Sequence, residues 1–141
     1  EAFLHTEQFA SAIQFLKTAR DLKPKDLDFN NKLGEAYFKN KQLALASAQF
    51  KQVLSLNPNH ISANVNLAWC EHISGRDAES IRYYKSALNL NPDYYTALTG
   101  LAQVYILQKN YSAAKELVLR AKKLKLHPGI ENLERALNKG V

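Results

Sequence analysis

The sequence predicts an all-α solenoid of antiparallel helix pairs, and three observations carry that expectation. Pro24, Pro58 and Pro92 stand 34 residues apart. Each closes a near-identical segment, Asp21-Leu22-Lys23-Pro24, Ser55-Leu56-Asn57-Pro58 and Asn89-Leu90-Asn91-Pro92. Between these segments, large and small apolar residues recur at fixed places with helical spacing. A period of this length marks a stack of units, each of which buries its apolar face only against its neighbours.

With the third residue after each proline taken as position 1, the units run 27–60, 61–94 and 95–127. The second half of an earlier unit occupies 1–26, and a terminal segment occupies 128–141. Position 7 reads Leu33, Leu67, Leu101, and position 8 reads Gly34, Ala68, Ala102. In the second half of each unit, position 20 reads Ala12, Ala46, Ser80, Ala114 and position 24 reads Leu16, Phe50, Tyr84, Val118. Position 27 reads Ala19, Val53, Ala87, Ala121, and position 30 is Leu22, Leu56, Leu90, Leu124. Steps of three, four and seven put such residues on one stripe of a helix, so each unit is expected to be two helices with position 30 on the buried stripe. Small residues at 8 and 20 let the two backbones approach, and large ones at 7 and 24 fill the remaining space. Leu67, in the central unit, is expected to be fully buried.

Asn40-Lys41, Gly75 and Lys109-Asn110 mark the turn within each pair. The proline after each second helix removes an amide donor and stops the helix there. Beyond the last unit, Ile130, Leu133 and Leu137 share one helical face, while Glu131, Glu134, Arg135 and Lys139 lie elsewhere. That is the pattern of a capping helix that covers the last apolar face and shows charge to water. Lys122 stands at position 28, where the inner units carry Leu54 and Leu88, which fits an end where less needs burying. Arg20 holds the same position in the first half-unit with no reason visible in the sequence.

The whole pattern resembles the tetratricopeptide repeat family. The resemblance rests on Leu33-Gly34-x-x-Tyr37 with Ala46, Phe50 and Pro58, on Leu67-Ala68 with Ser80, Tyr84, Ala87 and Pro92, and on Leu101-Ala102-x-x-Tyr105 with Ala114 and Ala121. It covers residues 27 to about 127 in full and 1–26 in half. Where the family carries an aromatic at position 4, this chain has Asn30, Asn64 and Leu98, and at position 11 Glu71 replaces tyrosine in the third unit. Pro128 falls four residues after Leu124, later than its predecessors. The resemblance implies a right-handed superhelix whose first helices line a concave groove, acting as a protein-interaction scaffold that binds a peptide or partner protein.

Positions 2, 5, 6, 9, 12 and 13 are the ones that would face such a groove. The partner-binding residues expected there are Asn31, Glu35, Phe38, Val65, Asn66, Trp69, His72, Ile73, Gln103 and Ile106. Trp69, flanked by Phe38 and Ile106, is expected to form an apolar floor, and Asn31, Asn66 and Gln103 to hydrogen-bond a peptide backbone. Family members that clamp a C-terminal carboxylate use a lysine, asparagine and arginine set of which only Asn66 is present, and Glu35 puts an acid where a donor should stand. That specialisation is not expected here.

Composition excludes other classes. Hydrophobic residues at 46% and charged residues at 23% are ordinary for a globular chain of 141 residues. No apolar run is long enough for a membrane span, so no membrane insertion is expected. The chain opens on Glu1 and contains no methionine, as an excised or processed piece would, which leaves the compartment open between cytoplasm and periplasm. Cys70 is alone and reads as a packing residue. The net charge of +6 raises nucleic acid as a partner, but Lys115, Arg120, Lys122, Lys123 and Lys125 concentrate the excess without interleaved aromatics, so it is the least favoured of the alternatives. Self-association through the terminal repeats is the other alternative, since Phe9 and Phe15 lack a neighbour in the half-unit. His5, His60, His72 and His127 show no metal-ligand spacing, and neither a phosphate-binding loop nor a nucleophile motif occurs. No catalytic residue, metal or cofactor is expected, and Glu71 is expected to be exposed or paired in a salt bridge.

Overall fold

The computed structural model describes residues 2–23, 26–124 and 129–140, with side chains from residue 7 onward. Pro24, Lys125, His127, Pro128 and the side chain of His5 lie outside the described residues. Those described form eight helices and no strand: α1 (Ala2–Leu22), α2 (Leu27–Lys39), α3 (Leu43–Leu56), α4 (Ile61–Ile73), α5 (Asp77–Leu90), α6 (Tyr95–Leu107), α7 (Tyr111–Lys123) and α8 (Ile130–Gly140). Each helix packs on the next in the chain, and α2, α4, α6 and α8 also touch in a row. Chain order is therefore spatial order, as in a solenoid. None of these helices is long and apolar enough to cross a membrane.

The boundaries follow from local chemistry. Inside each pair the amide of Gln42, Arg76 or Asn110 donates to the carbonyl of Tyr37, Glu71 or Tyr105, at 2.9, 2.8 and 2.8 Å. The residue before each donor is left-handed: Lys41 at φ 62°, Gly75 at 82° and Lys109 at 62°. This is a Schellman-type ending, which reverses the chain in few residues. Between pairs, Asn57 and Asn91 are extended, and their side chains accept the amides of Asn59 (3.0 Å) and Asp93 (3.1 Å) across the intervening proline. The next helices start on side-chain caps where the sequence supplies them. Asp26 accepts from Asp28 and Phe29, and His60 Nδ1 accepts from Ala63 at 3.1 Å.

Leu33, Ala46, Phe50, Leu67 and Cys70 fill one core cluster, and Ala68, Tyr84, Leu98, Leu101 and Val118 belong to the next. Leu67 is fully buried. The pairing of small position 8 with large position 24 is literal in the first full unit. A Cβ on Gly34 would stand 2.5 Å from the Phe50 ring. Burial pushes the Cys70 thiol up to about 11, which suits a packing residue and not a nucleophile.

Two expectations about the stripe are corrected. Leu22, Leu56 and Leu90 at position 30 are exposed and Leu124 is only half-buried. At 100° per residue, position 30 lies about 90° from the mean direction of positions 20, 24 and 27, so it turns off the stripe in the last turn. Ala12 is also exposed, because α1 packs chiefly on α2 and the face carrying Ala12 is left uncovered among the described residues. Arg20 finds its reason in the structure. Its guanidinium reaches Gln49 Oε1 at 3.4 Å, and Gln49 in turn donates to the buried Asn30 at 3.1 Å. Asn64, the other polar residue at position 4, is buried and donates to the Pro58 and His60 carbonyls, both at 3.1 Å. Where the family uses an aromatic, Asn64 thus ties α4 to the preceding connection and Asn30 ties α2 to α3.

At the far end α8 buries Ile130, Leu133 and Leu137 against α6 and α7. Lys122 is exposed and pairs with Glu134 of α8 at 2.8 Å.

Candidate functional site

The row of α2, α4, α6 and α8 carries the site, and its character changes from one interval to the next. Where α2 meets α4, positions 5 and 9 of one unit close on positions 2 and 6 of the following one. Asn31 donates to Glu35 Oε1 at 3.3 Å and to Ser62 Oγ at 3.2 Å. Asn66 donates to the same carboxylate oxygen at 3.2 Å and to the same hydroxyl at 3.4 Å. The four side chains form a polar clasp across the interval.

Where α4 meets α6, the same four positions hold Val65, Trp69, Thr96 and Gly100. Valine and glycine bring no side-chain donor or acceptor, and the neighbouring Thr99 turns its hydroxyl back to the Tyr95 and Thr96 carbonyls at 3.1 and 3.3 Å. A cavity of about 670 Å³ opens instead. Val65, Asn66, Trp69, His72 and Ile73 line it from α4, and Thr96, Thr99, Gly100 and Gln103 from α6. Gly129, Asn132 and Leu133, at the start of α8, close its far end, and Tyr84 lies beneath. Gly100 makes the room for that ring, since a Cβ there would stand 2.5 Å from Tyr84 Cζ. Burial holds the Tyr84 hydroxyl well above the usual tyrosine range, so it stays protonated. Among the described residues no lysine, arginine, aspartate or glutamate lines the cavity.

Trp69 stands as a ridge between this cavity and a second depression of about 300 Å³, lined by Glu35, Phe38, Lys39, Phe50 and Asn66. It remains 39% exposed, whereas the fold buries the equivalent large side chains at positions 7 and 24. His72 Nδ1 lies 2.8 Å from Asp77 Oδ1, and its ring centroid is 6.2 Å from that of Trp69. The imidazole is thereby held against one flank of the indole.

Glu35, Phe38, Val65, Asn66, Trp69, His72, Ile73 and Gln103 therefore border one depression or the other. Two expected residues do not. Ile106 is 9% exposed and joins the core cluster that also contains Leu133 and Leu137, so it is no part of an apolar floor. Asn31 is buried in the clasp. The amide nitrogens of Asn31 and Asn66 donate to Glu35 and Ser62, and Gln103 and Asn132 add further amides to the larger cavity. Sequence reasoning missed Tyr84 and the contribution of α8. The signal for Tyr84 was the large aromatic at position 24 opposite a glycine at position 6 of the next unit.

Glu71 takes the paired alternative. Its buried carboxylate receives Arg76 Nε at 2.5 Å and Nη2 at 3.2 Å, and this hydrogen bonding holds its pKa below the usual carboxylate range. The turn that places Arg76 next to the carbonyl of Glu71 also delivers the guanidinium to its side chain. Among the described residues no three His, Cys, Asp or Glu side chains come together to hold a metal.

A stack of helix pairs with an open, lined groove defines a repeat scaffold that offers a surface to other proteins. The chain belongs to the tetratricopeptide repeat family, whose pattern it matches over residues 3–59 and 72–137. No protein of curated function matches it. Among solved structures, that titled as MamA protein superposes with a TM-score of 0.83 at 21% identity, covering 95% of this chain and 72% of that one. A tetratricopeptide repeat protein from Parabacteroides merdae gives 0.83 at 21% identity, covering 99% of this chain and 56% of its own length. The MamA RS-1 ArsTM double mutant gives 0.74 at 18% identity, covering 96% and 71%. At such identities the likeness establishes the fold alone. Family members serve in general as interaction modules and not as enzymes.

Proposed function

We propose that the units 27–60, 61–94 and 95–127, capped by 128–141, hold a peptide segment of a partner protein in the concave groove. Trp69 is its central anchor. The observation that carries this reading is the half-exposed indole between two depressions, at a position where the fold needs no large side chain. Tryptophan is among the residues most enriched in binding hot spots, and truncating one at the centre of an interface typically weakens binding by at least about 2 kcal/mol, roughly 30-fold. Phe38 and Ile73 extend the apolar surface, and Gln103 supplies a donor and an acceptor to a peptide backbone. A displayed library of random peptides selected on the intact domain provides the ligands. Trp69 is the only tryptophan, so its emission reports the site directly. Selected peptides are expected to shift that emission and to lose at least 30-fold in affinity for Trp69→Ala. Peptides that saturate the domain with the emission unmoved and bind Trp69→Ala as well as the parent refute the groove reading.

A second reading, self-association through α1, is favoured by Phe15 at 70% and Leu22 at 78% exposure on that helix. Sedimentation equilibrium checks it: a dimer that Phe15→Glu dissolves supports it, and a monomer at high concentration excludes it.

A further inference from the structure

The smaller depression beside Trp69 has a chemistry of its own. Phe38 and Trp69 line it, the buried Phe50 adds a third ring, and Glu35 is its carboxylate. Both hydrogen bonds to Glu35 come from neutral amides, and both go to Oε1. Oε2 accepts none among the described residues, and Glu35 forms no ion pair among them. Lys39 shares the depression but is exposed and does not pair with it. A half-buried carboxylate with one unengaged oxygen beside aromatic rings attracts an organic cation twice over. The ring faces are negative, and the carboxylate adds a charge-assisted acceptor.

We propose that this depression receives the ammonium or guanidinium end of a lysine or arginine side chain of the bound peptide. The inference rests on the groove reading above and deepens it. The partner segment carries a basic residue over Glu35 and an uncharged, largely apolar one in the adjoining cavity, where His72 is the one titratable side chain besides Tyr84 among the described lining residues.

The test uses peptides selected on the intact domain from the random library. A basic residue is expected to recur among them. One such peptide and its copy with norleucine at that residue are then titrated into the parent, Glu35→Gln and Trp69→Ala. Norleucine keeps the aliphatic stem and removes the charge. On the parent it is expected to weaken binding about five- to tenfold. On Glu35→Gln, whose amide oxygen still accepts from Asn31 and Asn66, the gap is expected to shrink to the part the ring faces supply, about twofold. Lys39→Gln is expected to tighten the basic peptide, because it removes a competing cation. A parent that binds both peptides equally, or a preference undiminished in Glu35→Gln, overturns the assignment while the groove reading stands. Selected peptides that bind Trp69→Ala undiminished, or a library that yields no binder, overturn the groove reading itself. The comparison on the parent changes only the peptide, so it holds whether or not a variant folds well.

Discussion

Ser80 offers a direct measurement of what the stack requires between paired helices. It is fully buried in the first turns of α5, and its hydroxyl has no hydrogen-bond partner among the described residues. The same position holds Ala46 and Ala114 in the flanking units, both also fully buried. Burying an unsatisfied hydroxyl costs about 1–3 kcal/mol, and serine is a weaker helix former than alanine by a few tenths of a kcal/mol more. Ser80→Ala removes both penalties and leaves no cavity beyond the volume of one oxygen atom. The expected gain is about 1–2 kcal/mol, which in a chain of this size raises the melting temperature by about 3–6 °C. Urea unfolding followed by circular dichroism checks it, with an unchanged m-value confirming that stability and not cooperativity has moved. Ala46→Ser, the reverse change one unit earlier, is expected to lose a similar amount. If Ser80→Ala is destabilising, or Ala46→Ser is silent, the hydroxyl is satisfied in solution and the reasoning fails.

Acid sensitivity follows from Glu71. Its folded pKa lies below the ordinary value of 4.5, so its pairing with Arg76 stabilises the fold fully above that pH and is lost as pH falls through the folded value. Glu71→Gln is thus expected to be destabilised at neutral pH and to converge with the parent in acid, as denaturant midpoints measured across that range would show; a constant gap would contradict the pairing. Lys109, left-handed at φ 62°, is strained for a residue with a Cβ. Lys109→Gly is expected to gain about 0.5–1 kcal/mol despite the added freedom of the unfolded chain, and a loss on thermal melting would show that the turn is not under strain.

The repeat was legible because its determinants are local. Proline stops, the left-handed turn residues and positions 7, 8, 20, 24 and 27 each act within one helix pair. Trp69 was legible for a complementary reason: it stands where that pattern requires nothing. What stayed hidden depends on side chains from different units meeting. Asn31 and Asn66 looked like peptide ligands until the structure set them around Glu35 and Ser62. Ile106 looked exposed because its burial belongs to a core cluster shared with α8, outside the repeat. Arg20 made sense only through Gln49 and Asn30. Position 30 failed for a simpler reason, since successive three-residue steps drift around the helix and the last leucine leaves the face set by the first.

The clasp of Asn31, Glu35, Ser62 and Asn66 also bears on how the molecule yields under load. Two hydrogen bonds, Asn31 to Ser62 and Asn66 to Glu35, cross the joint between α2 and α4, so rotation there must break both. The joint between α4 and α6 has side chains that slide instead of latch, above a void. A force drawn through the solenoid is therefore expected to bend it more readily at the second joint than at the first. A guest that wedges the second joint apart changes the direction in which everything beyond α6 points, while the first joint keeps its angle. The same four positions, refilled from one unit to the next, give neighbouring joints of one solenoid different side-chain bracing.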